Sequence, residues 1–444
     1  MAHPETERHF NGRFRVAESA IRQVLAAGFG DRHLPADLIL SDFYHQHRQC
    51  GSGDRAFINR AVYSLLRYWG WLRALIPDEK RQLLETGRIS LQSRDIAAML
   101  AFSLGCEQPD TALVNALLDL ASLPNGRMST LSSDPRRRAG QLADGIFGVS
   151  RTFDWHDLLP ASLPELSPGL DQAAYCERLT RRPPLWLRLC RPELAEAVLA
   201  QLAEQGVEGR VFPALPTAMQ VVSGTVDLRR LSSFRNGEVE VQDLASQCVG
   251  VLAAPRPGER WLDACAGAGG KTLQLAALMS GRGRIDAGDI RPAVLEELRR
   301  RARRGNWSNI SAKVHDGSHW PSRHLYDGVL IDAPCSGSGV WRRNPGQPWQ
   351  FSGKNAADFA ARQLKILHDF SRHVRPGGVL IYATCSVFAA ENEDVVTAFL
   401  REHDDFALAD AAHPLTGKPI GGLMHAGSGI ADCDELFAAR MIRK

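Results

Sequence analysis

From Leu244 onward the chain alternates short apolar runs with longer amphipathic ones. Arg260–Asp263, Arg284–Asp289, Gly328–Asp332 and Gly378–Ala383 have strand length, while Thr272–Met279, Ala293–Arg303, Asp358–Val374 and Glu391–His403 carry helical spacing. A chain that alternates in this way folds as α/β, a parallel sheet covered by helices on both faces. Sheets of that kind build their sites at the carboxyl ends of the strands. The residues that follow each apolar run are therefore the ones to read for chemistry.

The sequence before Leu244 has a different texture. Up to about residue 150 the apolar residues fall three and four apart, over Phe14–Ala27, Ala56–Ile76 and Ile96–Leu104, which predicts helices. In GSGDRAFINRAVYSLLRYWGWL, Ser52 or Asp54 is placed to cap one of them. LSSDPRRR (131–138) and LPELSPG (163–169) read as a break and a linker. From Pro183 a strand at Trp186–Leu189 and a helix over Pro192–Gly206 suggest a small α+β module. The expected organisation is a helical domain at 1–150, a connecting module at 175–243 and an α/β domain at 244–444.

Composition narrows the class further. An apolar share of 44% and a charged share of 23% are those of a soluble globular protein. The polar start MAHPETERHFNGRF offers no secretory signal, and no apolar run approaches the 18 or so residues of a membrane span. The chain is expected in the cytoplasm, away from membranes. Its nine cysteines include no CxxC pair and make an odd count, which argues against zinc and against a disulfide framework. No metal is expected. The net charge is only +3, yet arginines cluster at 136–138, at 181, 182, 188 and 191, over 299–304, and at 342–343. Such clusters are either solvated helix faces or the footprint of a polyanion.

WLDACAGAGGKT turns a strand into a helix through Gly267, Gly269 and Gly270. A phosphate-cradling P-loop needs glycine where Cys265 stands. A G-x-G-x-x-G dinucleotide loop fails because position 272 is threonine. A loop passing close to a nucleoside without phosphates remains, formed by Cys265, Ala266, Gly267, Ala268, Gly269, Gly270 and Lys271. It needs an acid for the ribose hydroxyls, which Asp289 supplies, and Asp316 then falls where an adenine amino group would be met. With Asp332 these follow the order expected for S-adenosylmethionine. Plain turn glycines and surface acids are the alternative for each residue taken alone.

Two apolar runs end in cysteine: Asp332-Ala333-Pro334-Cys335-Ser336 and Tyr382-Ala383-Thr384-Cys385-Ser386. Either these are core thiols or they are partners in one reaction. DACAGAGGKT, DAPCSGSGVWRRNP and YATCSVFAAENE, with VQDLASQ upstream, resemble the motifs of the RNA cytosine-C5 methyltransferase family over about residues 183–444. GSGDRAFINRAVYSLLRYWGWL is similar to the NusB-like helical domain of that family's bacterial 16S rRNA members. The resemblance implies a Rossmann-like S-adenosylmethionine-dependent methyltransferase domain, preceded by an all-α NusB-like domain and a small α+β module. It implies an RNA substrate, small-subunit rRNA foremost and tRNA as the alternative; a non-catalytic RNA-binding assembly factor is the competing class. A monomer is expected.

Carried over from the family, Cys385 is the nucleophile that adds to C6 of cytosine and Cys335 assists release; DNA cytosine methyltransferases resemble the reverse. Asp332 is expected to hold N3 and the amino group of the base, and Lys271 to assist near base or cofactor. The sequence departs from the family pattern in three places. Gly267-Ala268 stands for Ala-Pro, Asp434-Glu435-Leu436-Phe437 for Asp-Gly-Phe-Phe, and Cys190 where asparagine is common.

Overall fold

The computed structural model describes residues 4–29, 34–85, 91–123, 128–315, 317, 320, 324–427 and 429–444. The chain divides into two units. The first holds residues 1–163, 172–182 and 341–352; the second holds 164–171, 183–340 and 353–444.

The first unit is helical. Its helices include Pro4–Phe29, Ala36–Gln46, Ser52–Arg67, Ser93–Glu107 and Thr111–Leu120. Ser93–Glu107 is buried from Ile96 to Cys106 without interruption, as a helix surrounded by other helices must be. Trp69 and Trp71 are fully buried in the same core. Asp54 closes the start of Ser52–Arg67 by accepting a bond from Gly51 N at 3.1 Å.

The stretch expected as a break at 131–138 differs. Asp134 accepts bonds from Arg136 N and Arg137 N, and with Pro135 at the first turn it starts the helix Pro135–Leu142. The cap and the proline, both turn signals in the abstract, here open a helix. Two further pieces also differ from the linear division. Trp341–Ser352 belongs to the helical unit although only Val340 separates it from the DAPCSGSG motif. Pro164–Asp171, part of the expected linker, belongs to the second unit, where Leu166 bridges to Phe388.

The second unit contains two sheets. The smaller is built from β1 (Leu185–Leu189), β2 (Glu208–Phe212), β3 (Leu215–Ser223) and β4 (Val239–Val241), in the order β2-β3-β1-β4. All of its pairings are antiparallel. The larger sheet comprises β5 (Arg260–Asp263), β6 (Arg284–Asp289), β7 (Ile310–Val314), β8 (Tyr326–Asp332), β9 (Val374–Thr384), β10 (Phe406–Leu408), β11 (Leu423–Ala426) and β12 (Leu436–Arg443). Its order is β10-β12-β9-β8-β5-β6-β7, with β11 beside β12. The strands from β9 to β7 pair in parallel; β12 runs antiparallel to β9 and β10.

The parallel strands read as apolar runs because both faces are covered. Val329, Leu330 and Ile331 of β8 are fully buried. Gly328 has no side chain because the Trp261 ring of β5 lies where one would stand, 2.3 Å from an added Cβ. The expected helix Asp358–Val374 begins earlier and ends at Ser371, leaving Val374 to open β9. The Asp-Glu-Leu-Phe departure leaves β12 in register, with Phe437 opposite Thr384.

Candidate active site

β5 is the point from which the strand order runs outward in both directions, β6 and β7 one way, β8 and β9 the other. A crevice at the carboxyl ends of the strands is expected there. The glycine loop leaves β5 at this point. It is strapped to both neighbours, by Ala264 N to Leu330 O at 2.9 Å and Ala266 N to Gly288 O at 2.8 Å. Gly269 sits at φ +87°, and a Cβ there would stand 2.6 Å from Leu298, so no other residue fits. The helix Gly270–Leu278 begins without a side-chain cap, leaving first-turn N–H groups to a ligand.

The loop also leaves room. A Cβ on Gly270 would meet nothing within 4 Å, and one on Gly267 only the Arg291 guanidinium at 3.9 Å. Asp289 lies beside it at the end of β6. One of its oxygens accepts a bond from Gly267 N at 3.0 Å, and Arg291 bonds both. Burial pulls this carboxyl upward, but the Arg291 bonds and the backbone donors outweigh it, and its pKa lies below the usual value. An open glycine floor beside an ionised acid fits the nucleoside part of S-adenosylmethionine. Cys265, Ala266, Gly267, Ala268, Gly269 and Gly270 form the floor. Burial pushes the Cys265 thiol far up, so it is a neutral wall. Asp316 lies outside the described residues.

Lys271 and Asp332 meet across this crevice, Nζ to Oδ2 at 2.7 Å. Burial opposes the lysine charge, yet Asp332 more than offsets it, and the Lys271 pKa is raised. Beneath them Asp263 accepts a bond from Thr272 Oγ1 at 2.6 Å, and its other oxygen has no partner among the described residues. Burial, with the charge of Asp332 behind it, pushes this carboxyl up to about 7.

The two cysteines stand together. Cys335 Sγ lies 3.3 Å from Cys385 Sγ, one following β8 and the other β9, its parallel neighbour. The contact with Cys385, with burial, raises the Cys335 thiol well above its ordinary pKa. Spacing alone does not bring the two cysteines together; strand pairing brings the sulfurs into contact.

Glu391 and Gln363 were not singled out as site residues in the sequence. Glu391 is fully buried and accepts bonds from Ser336 N and Gln363 Nε2, each at 2.9 Å, and from Ser386 Oγ at 2.8 Å. Gln363 also holds Pro334 O at 3.0 Å. The only signal for Glu391 was its place in YATCSVFAAENE.

The basic clusters are mostly tied up within the fold. Arg138 is buried and donates to the carbonyls of Cys106, Ser132 and Ser133. Buried Arg188 bonds Gln242. Arg301 and Arg304 pair with Glu240, Arg299 and Arg303 with Glu296, and Arg300 with Glu297. Arg342 is buried and donates to Arg182 O. Arg136, Arg137, Arg182 and Arg191 are exposed. Among the described residues no three or more metal-ligating side chains gather, and no helix is long and apolar enough to cross a membrane.

Residues 250–427, which contain the glycine loop, Asp289, Asp332 and both cysteines, match the family model described as 16S rRNA methyltransferase RsmB/F. Over these residues the chain is similar to the RsmB/F methyltransferases. The chain is 33% identical over 274 residues to ribosomal RNA small subunit methyltransferase B of Klebsiella pneumoniae, a match covering 60% of this chain and 61% of the relative. A probable ribosomal RNA small subunit methyltransferase B of Synechocystis is 28% identical over 371 residues, 80% of this chain and 82% of that one. The match thus spans about 61% of the length of the Klebsiella relative. Among solved structures, PH0851 shares the fold over 96% of this chain and 98% of its own, with TM-score 0.71 and 23% identity. NSun6 from Pyrococcus horikoshii shares it over 61% of this chain and 93% of its own, with TM-score 0.55 and 19% identity.

Proposed function

We propose that the protein is an S-adenosylmethionine-dependent RNA methyltransferase that forms 5-methylcytosine, with small-subunit rRNA as substrate. The observation that carries this is the pair of sulfurs 3.3 Å apart beside the Lys271–Asp332 pair. C5 of cytosine is a poor nucleophile until a thiolate adds to C6, which makes C5 an enamine carbon. Two thiols serve such a reaction because the adduct must afterwards be undone.

Residues 265–271, Asp289, Asp316 and Asp332 would hold the cofactor, which would supply an electrophilic methyl group. Cys385 adds to C6 as the thiolate, and the ring electrons move to N3, which takes a proton. Asp332 accepts the bond from protonated N3 and the exocyclic amino group, and Lys271 holds Asp332 in place. Cys335 begins protonated, consistent with its raised pKa, with its S–H directed at the Cys385 sulfur. Once Cys385 is bonded to carbon, the contact that holds the Cys335 proton is gone. Cys335 then releases its own proton to solvent, and the resulting thiolate accepts the C5 proton. The electron pair of that C–H bond restores the C5–C6 double bond and expels Cys385. This order supports Cys385 as nucleophile and Cys335 as the residue of release.

We also propose that residues 1–150 act as a NusB-like RNA-binding domain, with 175–243 as a connecting module and 244–444 as the catalytic domain. The helical make-up of the first unit and the rRNA names of the relatives support this. The protein is proposed to act in the cytoplasm as a monomer. The decisive experiment is Cys335→Ala with RNA and cofactor. It should accumulate an RNA–protein adduct that survives denaturing electrophoresis, because the C5 proton has no acceptor. An adduct formed by Cys385→Ala instead would reverse the two roles. Bisulfite mapping of RNA from cells with and without the gene would identify the target cytosine.

A further inference from the structure

We propose that Glu391 is a positioning residue that sets the separation of the Cys335 and Cys385 sulfurs by bonding the residue after each. The proposal rests on the reading that the two thiols work on one base. Cys335 and Cys385 lie on separate loops, 50 residues apart in the chain. Strand pairing aligns the ends of β8 and β9, but Cys335 lies beyond the last paired residue, Asp332 opposite Ala383. Something past the sheet must hold the sulfurs.

The Glu391 carboxylate is placed to do so. One oxygen, Oε2, accepts from Ser336 N at 2.9 Å, and the other, Oε1, from Ser386 Oγ at 2.8 Å. Gln363 completes the clamp, donating to Glu391 Oε2 at 2.9 Å and to Pro334 O at 3.0 Å. Cys335 is thereby gripped through the residue on each side. The clamp is itself anchored. Tyr382 of β9 donates to Glu391 O at 2.6 Å and to Gln363 Oε1 at 3.1 Å. Ser386 Oγ also approaches Ser336 Oγ and Ser338 Oγ, each at 3.2 Å. The loops meet further at Gly339 N to Cys385 O (2.9 Å) and Val387 N to Ser338 Oγ (2.8 Å), but Glu391 is the side chain that bonds the residue after each cysteine.

Glu391 is fully buried with no cationic partner among the described residues; three donors compensate its charge. A bare carboxylate in that position is costly unless its geometry is used. After the Cys385 contact and burial, its charge also contributes to the raised Cys335 thiol.

Glu391→Gln keeps the tether. Its amide oxygen takes the place of Oε2 against two N–H donors, and its NH2 faces Ser386 Oγ, which rotates to accept. Glu391→Ala removes both arms. The test combines two readouts on the full-length protein. The first is capture of phenylarsine oxide by the cysteine pair, mapped by peptide mass, which needs adjacent thiols and no RNA. The second is kcat and KM for methylation.

Glu391→Ala should slow capture and lower kcat by about tenfold to a hundredfold, the scale of a misplacement of roughly 1 Å. KM for cofactor and RNA should stay within about twofold, since Glu391 is fully buried. Glu391→Gln should restore both within a few-fold. Wild-type behaviour of Glu391→Ala overturns the proposal, as does equal loss in the two variants, which would make the charge and not the tether responsible. A fall in kcat without a fall in capture also overturns it. Should Glu391→Ala not fold, Ser386→Ala severs the Oε1 arm alone, and unchanged capture there is equally decisive against the tether. Absence of methylation by the wild-type protein would sink the functional reading, while arsenical capture would still decide the positioning role.

Discussion

The helix Ser93–Glu107 and the segment from Thr384 to Asn392 are both buried, but by different means. In the helix, burial runs from Ile96 to Cys106 through Ala, Met, Leu and Phe, with Ser103 bonding back to Leu100 O at 3.4 Å. In the segment, the buried side chains include Thr384, Ser386, Glu391 and Asn392. Each is bonded to a named partner: Thr384 to Asn392 at 2.6 Å, Asn392 to Ser167 at 2.9 Å, Ser386 to Glu391 at 2.8 Å. An apolar core tolerates exchange of similar volumes, whereas a buried polar lattice fails when one member goes missing. The first region is built for stability, the second for placing two sulfurs.

The sharpest separation of the two should come from Cys385→Ala. Loss of the nucleophile should lower methylation by about a thousandfold or more, with cofactor affinity within about twofold and the melting temperature close to wild type. A Cys385→Ala protein that still turned over would place the chemistry elsewhere. The mirror experiment is Trp71→Ala in the helical unit. Trp71 is fully buried, donates to Asp154 O at 2.7 Å and packs against Trp155, Phe153 and Tyr68. Its truncation should destabilise that unit by about 3–5 kcal/mol, seen as an earlier thermal transition, with cofactor affinity of the native protein unchanged. A large loss of affinity would erase the distinction between the regions.

Asp263 tests the same contrast within the site. Its carboxyl is raised from 3.8 to about 7 by burial. The folded state therefore binds more protons than the unfolded chain between those values, and stability falls as pH rises through that window. The contribution reaches about 4 kcal/mol above pH 7 at the full shift. In cofactor-free protein, Asp263→Asn should flatten the fall between pH 4 and 7, since the amide oxygen still accepts from Thr272. Parallel profiles for the two proteins would show that Asp263 ionises freely.

The contrast also explains what was legible in the sequence. Helical spacing in the first unit and apolar runs in the second follow from local burial, so the helices and most strands of the large sheet stand near their expected bounds. The bounds of β7, Ile310–Val314, were not legible because an edge strand with two exposed residues lacks an apolar run. Trp341–Ser352 was expected with the catalytic domain because nothing in its sequence marks which core it joins. The glycine loop and the cysteines were legible as motifs, since their residue types carry the chemistry. Glu391 and Gln363 were not, because their role exists only once β8 and β9 are paired. The arginine clusters misled most. A run of arginines reads as surface, yet Arg138 and Arg188 are interior.

That last difference yields the smallest expected effect. Arg136 and Arg137 are exposed at the start of Pro135–Leu142, with Arg136 over the Trp155 ring at 5.5 Å, while Arg138 on the same turn is buried on three carbonyls. Only the first two are free to meet phosphate. Each lost phosphate contact lowers the slope of log K against log salt by about 0.7 for single-stranded RNA and about 0.9 for duplex. Replacing Arg136 and Arg137 together by alanine should therefore flatten the slope by roughly 1.4 to 1.8, with cofactor affinity unchanged. Arg138→Ala should instead destabilise the helical unit and leave the slope alone, because its guanidinium serves Cys106 O, Ser132 O and Ser133 O. Point substitution is preferable to truncation, which would leave residues 172–182 and 341–352 without the rest of their unit. RNA titrations at several salt concentrations decide the matter: equal slopes for the double variant and the wild type would make Arg136 and Arg137 a solvated face, with the RNA held elsewhere.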